Sequence, residues 1–228
     1  MVTVQAKIVS DSYDLTSKKI NKMEKIDLKK QYSNLYKASA KKPEIVTVPQ
    51  LKYLMVDGFG DPNSSKMFQD AIEALYSVSY TLKFMYKKRE ESIDYAVMPL
   101  EGLWWTDDMN NFSMENKNNW KWTLMILQPE FITLENIEIA KTNAAKKKKL
   151  PLLNSLRFEK MNEELSAQIL YIGPYNDEPS TIVMLHNFIK DSGYSLCGKH
   201  REIYLSDMRR TAPEKLKTII RQPIYKQI

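Results

Sequence analysis

Apolar positions along the chain alternate between a helical and an extended period, and the changes of period mark out an order of elements that occurs twice. From Tyr13 to Ala40 the chain is polar and lysine-rich, with apolar residues at Ile20, Met23, Ile26 and Leu28. That spacing predicts an irregular or helical arm folded against the main body and ended by Pro43. Glu44 to Pro49 leads into Leu51 to Gly58, a strand stopped by Asp57-Gly58. Asp61 to Ser64 is a turn whose Asn63 or Ser64 can cap a helix. Met67, Phe68, Ile72, Leu75, Tyr76 and Ser79 then recur at helical spacing, which predicts a helix to about Phe84. Asp94 to Trp105 predicts a strand, Asp107 to Asn119 an Asn-rich hairpin tip, and Trp120 to Pro129 the partner strand. A connecting helix fits Leu134 to Lys149, closed by Pro151.

The second half repeats the order. Ala167 to Pro174 predicts a strand stopped by Gly173-Pro174, and a helix starts at Asn176 or Asp177 with Pro179. Its apolar side carries Ile182, Leu185, Phe188 and Ile189, and Asp191-Ser192-Gly193 ends it. Lys199 to Leu205 and Leu216 to Pro223 predict a second strand pair. Both halves therefore read β-α-β-β, a repeat of order and not of residue identity. The expected organisation is an N-terminal arm over 1–45 and one domain over 46–228, with repeats at about 46–130 and 165–225 joined by the linker helix.

Composition narrows the function. With 43% hydrophobic and 27% charged residues the chain is an ordinary globular one. No apolar run reaches the roughly 20 residues of a membrane helix, and the first residues lack the apolar block of a secretory signal. The net charge of +6 sits in local lysine knots separated by acidic residues, with no nucleic-acid-binding motif beside them. A solvated surface, with no specific nucleic-acid partner, is expected. Cys197 is the lone cysteine, and neither it nor His186 and His200 has metal-ligand spacing. No metal, no cofactor and a reducing cytoplasm are expected.

Each half places one glutamate inside its middle strand, Glu101 and Glu202. Alternation puts Leu103, Glu101 and Trp105 on one face, opposite Ala96, Met98 and Leu100; in the second half His200, Glu202 and Tyr204 oppose Arg201, Ile203 and Leu205. A carboxylate among aromatic rings is costly unless solvated, paired or used. Either both lie on a wet sheet face, or a pseudo-two-fold aims both into one aromatic-walled cleft of the kind that binds small molecules. Trp105 shares the Glu101 face. Trp120 and Trp122 fit a cleft wall or core packing equally well. Tyr171 and Tyr175 flank the mouth implied for the second half, and either could bring a phenol to a ligand carbonyl. His186 and His200 read as structural.

Val48-Pro49, Leu54 to Asn63, Met98-Pro99-Leu100-Glu101-Gly102-Leu103-Trp104-Trp105, Arg201 to Asp207 and Leu216 to Pro223 together closely resemble the GyrI-like small-molecule-binding family, over about Asp14 to Pro223. The resemblance implies an α+β fold: tandem β-α-β-β repeats, related by a pseudo-two-fold, forming an antiparallel sheet with helices on one face and a central ligand cleft. It makes Glu202 the family's central glutamate, with Glu101 at the matching place in the first half. It also implies either drug sensing, in which a buried glutamate neutralises cationic aromatic drugs, or hydrolysis of the cyclopropane of DNA-alkylating natural products. The first expectation is a detoxifying hydrolase. Glu101 and Glu202 would activate water, while Trp105, Trp122, Tyr171, Tyr175 and Tyr204 grip a small aromatic or electrophilic molecule. Non-catalytic sequestration of aromatic or cationic drugs, or gyrase-inhibitor-like protein binding, is the alternative.

Overall fold

The computed structural model describes residues 25–89, 92–107, 117–162 and 164–226. Two short helical turns, α1 (Leu28–Gln31) and α2 (Ser33–Tyr36), precede β1 (Glu44–Val48) and β2 (Leu51–Phe59). The first unit continues with α3 (Lys66–Lys87), β3 (Leu100–Trp105) and β4 (Lys121–Gln128). After α4 (Leu134–Ala145) and β5 (Arg157–Met161), the second unit runs through β6 (Glu164–Ile172), α5 (Pro179–Asp191), β7 (Tyr194–Leu196), β8 (His200–Tyr204) and β9 (Lys217–Lys226). The expected arm falls partly outside the described residues, as does most of the Asn-rich hairpin tip.

All nine of these strands join one antiparallel sheet in the order β1-β6-β9-β8-β3-β4-β2-β5, with β7 also pairing β9. Each unit contributes its first, last and middle strand from the outside inwards. β6-β9-β8 therefore meets β3-β4-β2 as a pseudo-two-fold about the β8–β3 seam. The fold is the α+β tandem repeat that the pattern predicts.

Local chemistry explains where the elements depart from expectation. The cap of α3 is Ser65, whose hydroxyl accepts from Phe68 N at 3.3 Å. Asn63 and Ser64 are held in the preceding turn by Asp61 and cannot serve. Strand β3 begins only at Leu100, because Pro99 has no N–H for a ladder. α4 stops at Ala145, ahead of four consecutive lysines whose like charges disfavour another turn. Strands β5 and β7 were not expected; Arg157–Met161 is too polar and Tyr194–Leu196 too short to stand out by periodicity.

Helices α3 and α5 cover the same sheet face. Ala71, Ala74, Leu75 and Val78 of α3 are buried over β2 and β4. Leu185 and Ile189 of α5 pack with Ala167, Ile169, Ile220 and Ile224 of β6 and β9. Each Leu, Ile or Val among them contributes about 1.5–3 kcal/mol when fully buried. The two helices leave β8 and the β3 seam between them. The opposite face is covered by the α1–α2 segment, with Leu28, Leu35 and Tyr36 buried.

Candidate functional site

Register decides which side chains share a face. In the β3–β8 ladder Gly102 stands opposite Glu202, Glu101 opposite Ile203, and Trp104 opposite His200. Residues directly opposite in an antiparallel pair point the same way, and neighbours along a strand point oppositely. Glu101 and Glu202 therefore lie on opposite faces of the sheet. The expectation that both enter one cleft is overturned, and Trp105 leaves the cleft with Glu101.

The back of the sheet holds Glu101 in a closed network. Its carboxylate is fully buried and forms an ion pair with the equally buried Arg201, through Nε at 2.9 Å and through Nη2. Tyr36 of α2 donates to Glu101 Oε1 at 2.7 Å, and Arg201 Nη2 donates to Tyr53 Oη at 2.6 Å. Burial pushes both phenols above their ordinary range, so they stay protonated as donors and acceptors. Arg221 is also buried there, donating to Gln168 Oε1 and to the Leu35 carbonyl. Trp105 lies on this face with the Lys199 ammonium 3.3 Å from its ring centroid. Every Glu101 oxygen has a donor, so this carboxylate is structural in its surroundings.

The front face, between α3 and α5, carries a different cluster. Glu202 is 14% exposed in its side chain, within reach of solvent. Tyr204 donates its hydroxyl to Glu202 Oε2 at 2.8 Å and accepts from Trp104 Nε1 at 3.1 Å. Trp104 reaches this position because Gly102 has no side chain. A Cβ there would meet the indole nitrogen at 2.7 Å. His200 Nε2 lies 3.2 Å from Glu202 Oε1 and donates when the carboxylate is ionised. Tyr175 packs edge-on to Tyr204, centroids 5.7 Å apart.

A second carboxylate, not anticipated, joins Glu202. Glu178 precedes Pro179, the first residue of α5, and its carbonyl accepts from Thr181 and Ile182 N–H to open the helix. Its side chain makes no cap bond and is 3% exposed, with Oε1 lacking a hydrogen-bond partner among the described residues. Burial first, and the charge of Glu202 second, push its carboxyl up to about 9. The same carboxylates, after burial, raise Tyr175 to about 12 and carry Tyr204 well above its ordinary range. Glu178 therefore keeps its proton well above the ordinary carboxylate range, beside Glu202.

The remaining sequence candidates divide between wall and core. Trp122 faces the front but is fully buried, its ring lying over Gly58 and edge-on to Phe68 at 5.2 Å. Tyr171 is nearly buried on the same face, donating to the Pro174 carbonyl at 2.8 Å and shaping the turn that presents Tyr175. His186 on α5 is neutral-favouring, its pKa lowered by burial and then by His200. Among the described residues no three His, Cys, Asp or Glu side chains group as a metal site, and no helix is long and apolar enough to cross a membrane.

Residues 41–224 match the family profile of the GyrI-like small molecule binding domain. The chain belongs to the GyrI-like family. It is 38% identical to an uncharacterized conserved protein from Listeria innocua, covering 88% of this chain and 100% of that one, with a TM-score of 0.82. A protein from the same organism described as a hydrolase is 36% identical, with 89% and 100% coverage and a TM-score of 0.80. The EcmrR C-terminal domain, at 12% identity and a TM-score of 0.50 over 82% of this chain and 98% of that one, shares the fold. No curated protein matches the chain. As a GyrI-like domain the protein binds small molecules, and the front-face cluster is the candidate place for it.

Proposed function

We propose that the protein hydrolyses a strained, electrophilic small molecule, a cyclopropane-bearing DNA alkylator, and so detoxifies it. The observation that supports this reading is the Glu178–Glu202 pair: a buried Glu178 carboxyl kept protonated beside Glu202, which Tyr204 and His200 hold, with Tyr175 packed against Tyr204. A counter-charge for a cation needs only one carboxylate. Acid–base work needs both. The similarity to the Listeria innocua hydrolase points the same way.

In this reading Glu202 takes a proton from a water held against the ring methylene. The water oxygen bonds to that carbon as the carbon–carbon bond of the cyclopropane breaks. The electron pair released flows into the conjugated dienone and forms a phenolate, regaining aromaticity. Glu178 supplies the proton to the developing phenolate, and transfer of the proton now on Glu202 restores the pair. Tyr204 and His200 hold Glu202 by both oxygens, which fixes its orientation toward the water. The half-buried Tyr175 and Tyr204 supply ring faces for the planar substrate.

The test is incubation of the purified protein with a cyclopropane-fused dienone, with the hydrated product counted by mass. More than one product per protein molecule supports hydrolysis. Unchanged compound travelling with the protein would refute it and leave sequestration.

A further inference from the structure

The outer side of α3 carries an ordered row of rings. Tyr76, Tyr80 and Phe84 follow one another at four-residue spacing, on the side away from the buried Ala71, Ala74, Leu75 and Val78. Tyr76 and Tyr80 stack at 6.2 Å and 29°, and Tyr80 and Phe84 at 6.5 Å and 26°. Tyr80 is 47% and Phe84 48% exposed. Helix α4 lies antiparallel beside α3: Tyr86 bonds Asn136, Asn143 reaches Met85, and Lys148 pairs with Glu73. Ile139, 42% exposed, stands on the α4 strip between Asn136 and Asn143. Along the other side of α4 runs an open groove of about 460 Å³, closed by the Leu153–Ser155 turn and lined by Thr142, Ala145 and Leu153. Single exposed apolar residues are ordinary, whereas a ring row, an exposed Ile and a groove side by side form one contact surface.

Charge and height along the helices say what fits this surface. Helix α3 has Asp70 and Glu73 in its first half and is followed by Lys88 and Arg89, whereas α4 begins with Glu135 and Glu138 and runs into Lys146 to Lys149. Lys88, Glu135, Lys146 and Lys147 are exposed. Each helix therefore offers acid at one end and base at the other, which suits an antiparallel neighbour. A two-fold axis parallel to both helices and passing beside Ile139 exchanges the two sides of the surface while keeping every residue at its own height. Within one chain Tyr86 is level with Asn136, and Glu73 with Lys148. Counting back along α3 and forward along α4, Tyr80 of one copy comes level with Thr142 of the other, in the groove. Lys88 comes beside Glu135, Glu73 beside the lysine run, and Ile139 meets its own copy. Shape and charge are thus both answered by the same chain, as an isologous contact requires.

We propose that the α3–α4 face joins two copies of this chain in a symmetric dimer, the ring row of each copy seated in the α4 groove of the other. Two helices a side make an interface at the small end of specific ones, so the dimer is reversible and dissociates on dilution. The proposal does not depend on how the Glu178–Glu202 site is read.

Sedimentation velocity of the full chain, from about 1 µM to about 100 µM, tests it. The expected result is a shift from monomer to dimer across that range. Tyr80→Ala/Phe84→Ala removes exposed rings and should weaken the dimer about 10-fold or more at an unchanged melting temperature. Ala145→Arg fills the groove from the other side and should do the same, so the test holds even if the ring variant melts lower. Lys88→Glu and Glu135→Lys should each weaken the dimer about fivefold, and the two in one chain should restore it, a rescue that damage to folding would not give. A monomer at about 100 µM overturns the proposal, whatever other protein the row then binds. A dimer indifferent to both the ring and the groove variants overturns it too, and would place the second copy elsewhere, such as on the exposed side of α5. Failure of the charge swap to rescue overturns the antiparallel pairing.

Discussion

The two faces of the β3–β8 seam hold carboxylates under opposite regimes. On the back, Glu101 is fully buried against Arg201, with Tyr36 filling its remaining oxygen. On the front, Glu202 is partly solvated and acts electrostatically on a second acid, Glu178. A buried charge matched by a guanidinium is neutral to its surroundings and has no proton to trade. A carboxylate beside a second carboxyl forces the pair to share a proton, which makes it reactive. Strand position and aromatic company are the same for both glutamates. The partner charge is what separates scaffold from site.

The sharpest way to break this contrast is to remove one base and one structural carboxylate in turn. Glu202→Gln keeps the shape of the side chain and is expected to lower turnover of a cyclopropane-fused dienone by about 10²–10⁴-fold, with dienone binding retained. Single-turnover rates and binding measured on the same folded variant decide it. Wild-type turnover in that variant would remove Glu202 from the chemistry.

Next in size is the back face. Arg201→Met strands Glu101 in the core and should cost about 3–5 kcal/mol in denaturant unfolding. Glu101→Gln with Arg201→Met should recover a large part of that loss, since no uncompensated charge remains. A double variant as unstable as the single one would show that the network acts through something other than charge pairing.

The proton on Glu178 adds a pH dependence with a definite sign. Its carboxyl is raised from an ordinary value of 4.5 to about 9. Between those limits the unfolded chain has released a proton that the folded chain keeps, so stability from this group falls as pH rises through that window and is fully present below it. Turnover that needs protonated Glu178 should likewise fall as pH rises through about 9. Glu178→Gln should flatten the stability slope and abolish the alkaline limb; a limb that persists would assign it to another group.

The smallest expected effect sharpens the aromatic side. Trp104→Phe removes the donor to Tyr204 and should cost about 0.5–1.5 kcal/mol of ligand binding. Trp105→Phe, on the back, should leave binding unchanged. Equal effects in a titration calorimetry comparison would contradict the assignment of the two faces.

The alternation of periods was enough to read both β-α-β-β units, α3 and α5 with their buried stripes, and the location of Glu202 within a middle strand flanked by His200 and Tyr204. These are local properties. Side-chain period and turn chemistry act over a few residues and are written along the chain. What lay beyond reach was every relation across strands. Whether Glu101 or Trp104 accompanies Glu202 depends on whether Gly102 or a neighbour stands opposite it, and a shift of one residue in that register exchanges the faces. Glu178 reads in the chain as one more polar residue in Tyr175-Asn176-Asp177-Glu178-Pro179, a helix start. Only the packing of α5 over β6 and β9 withdraws it from water within reach of the Glu202 charge, and burial with a like charge nearby is a property of the assembled sheet that no stretch of residues carries by itself.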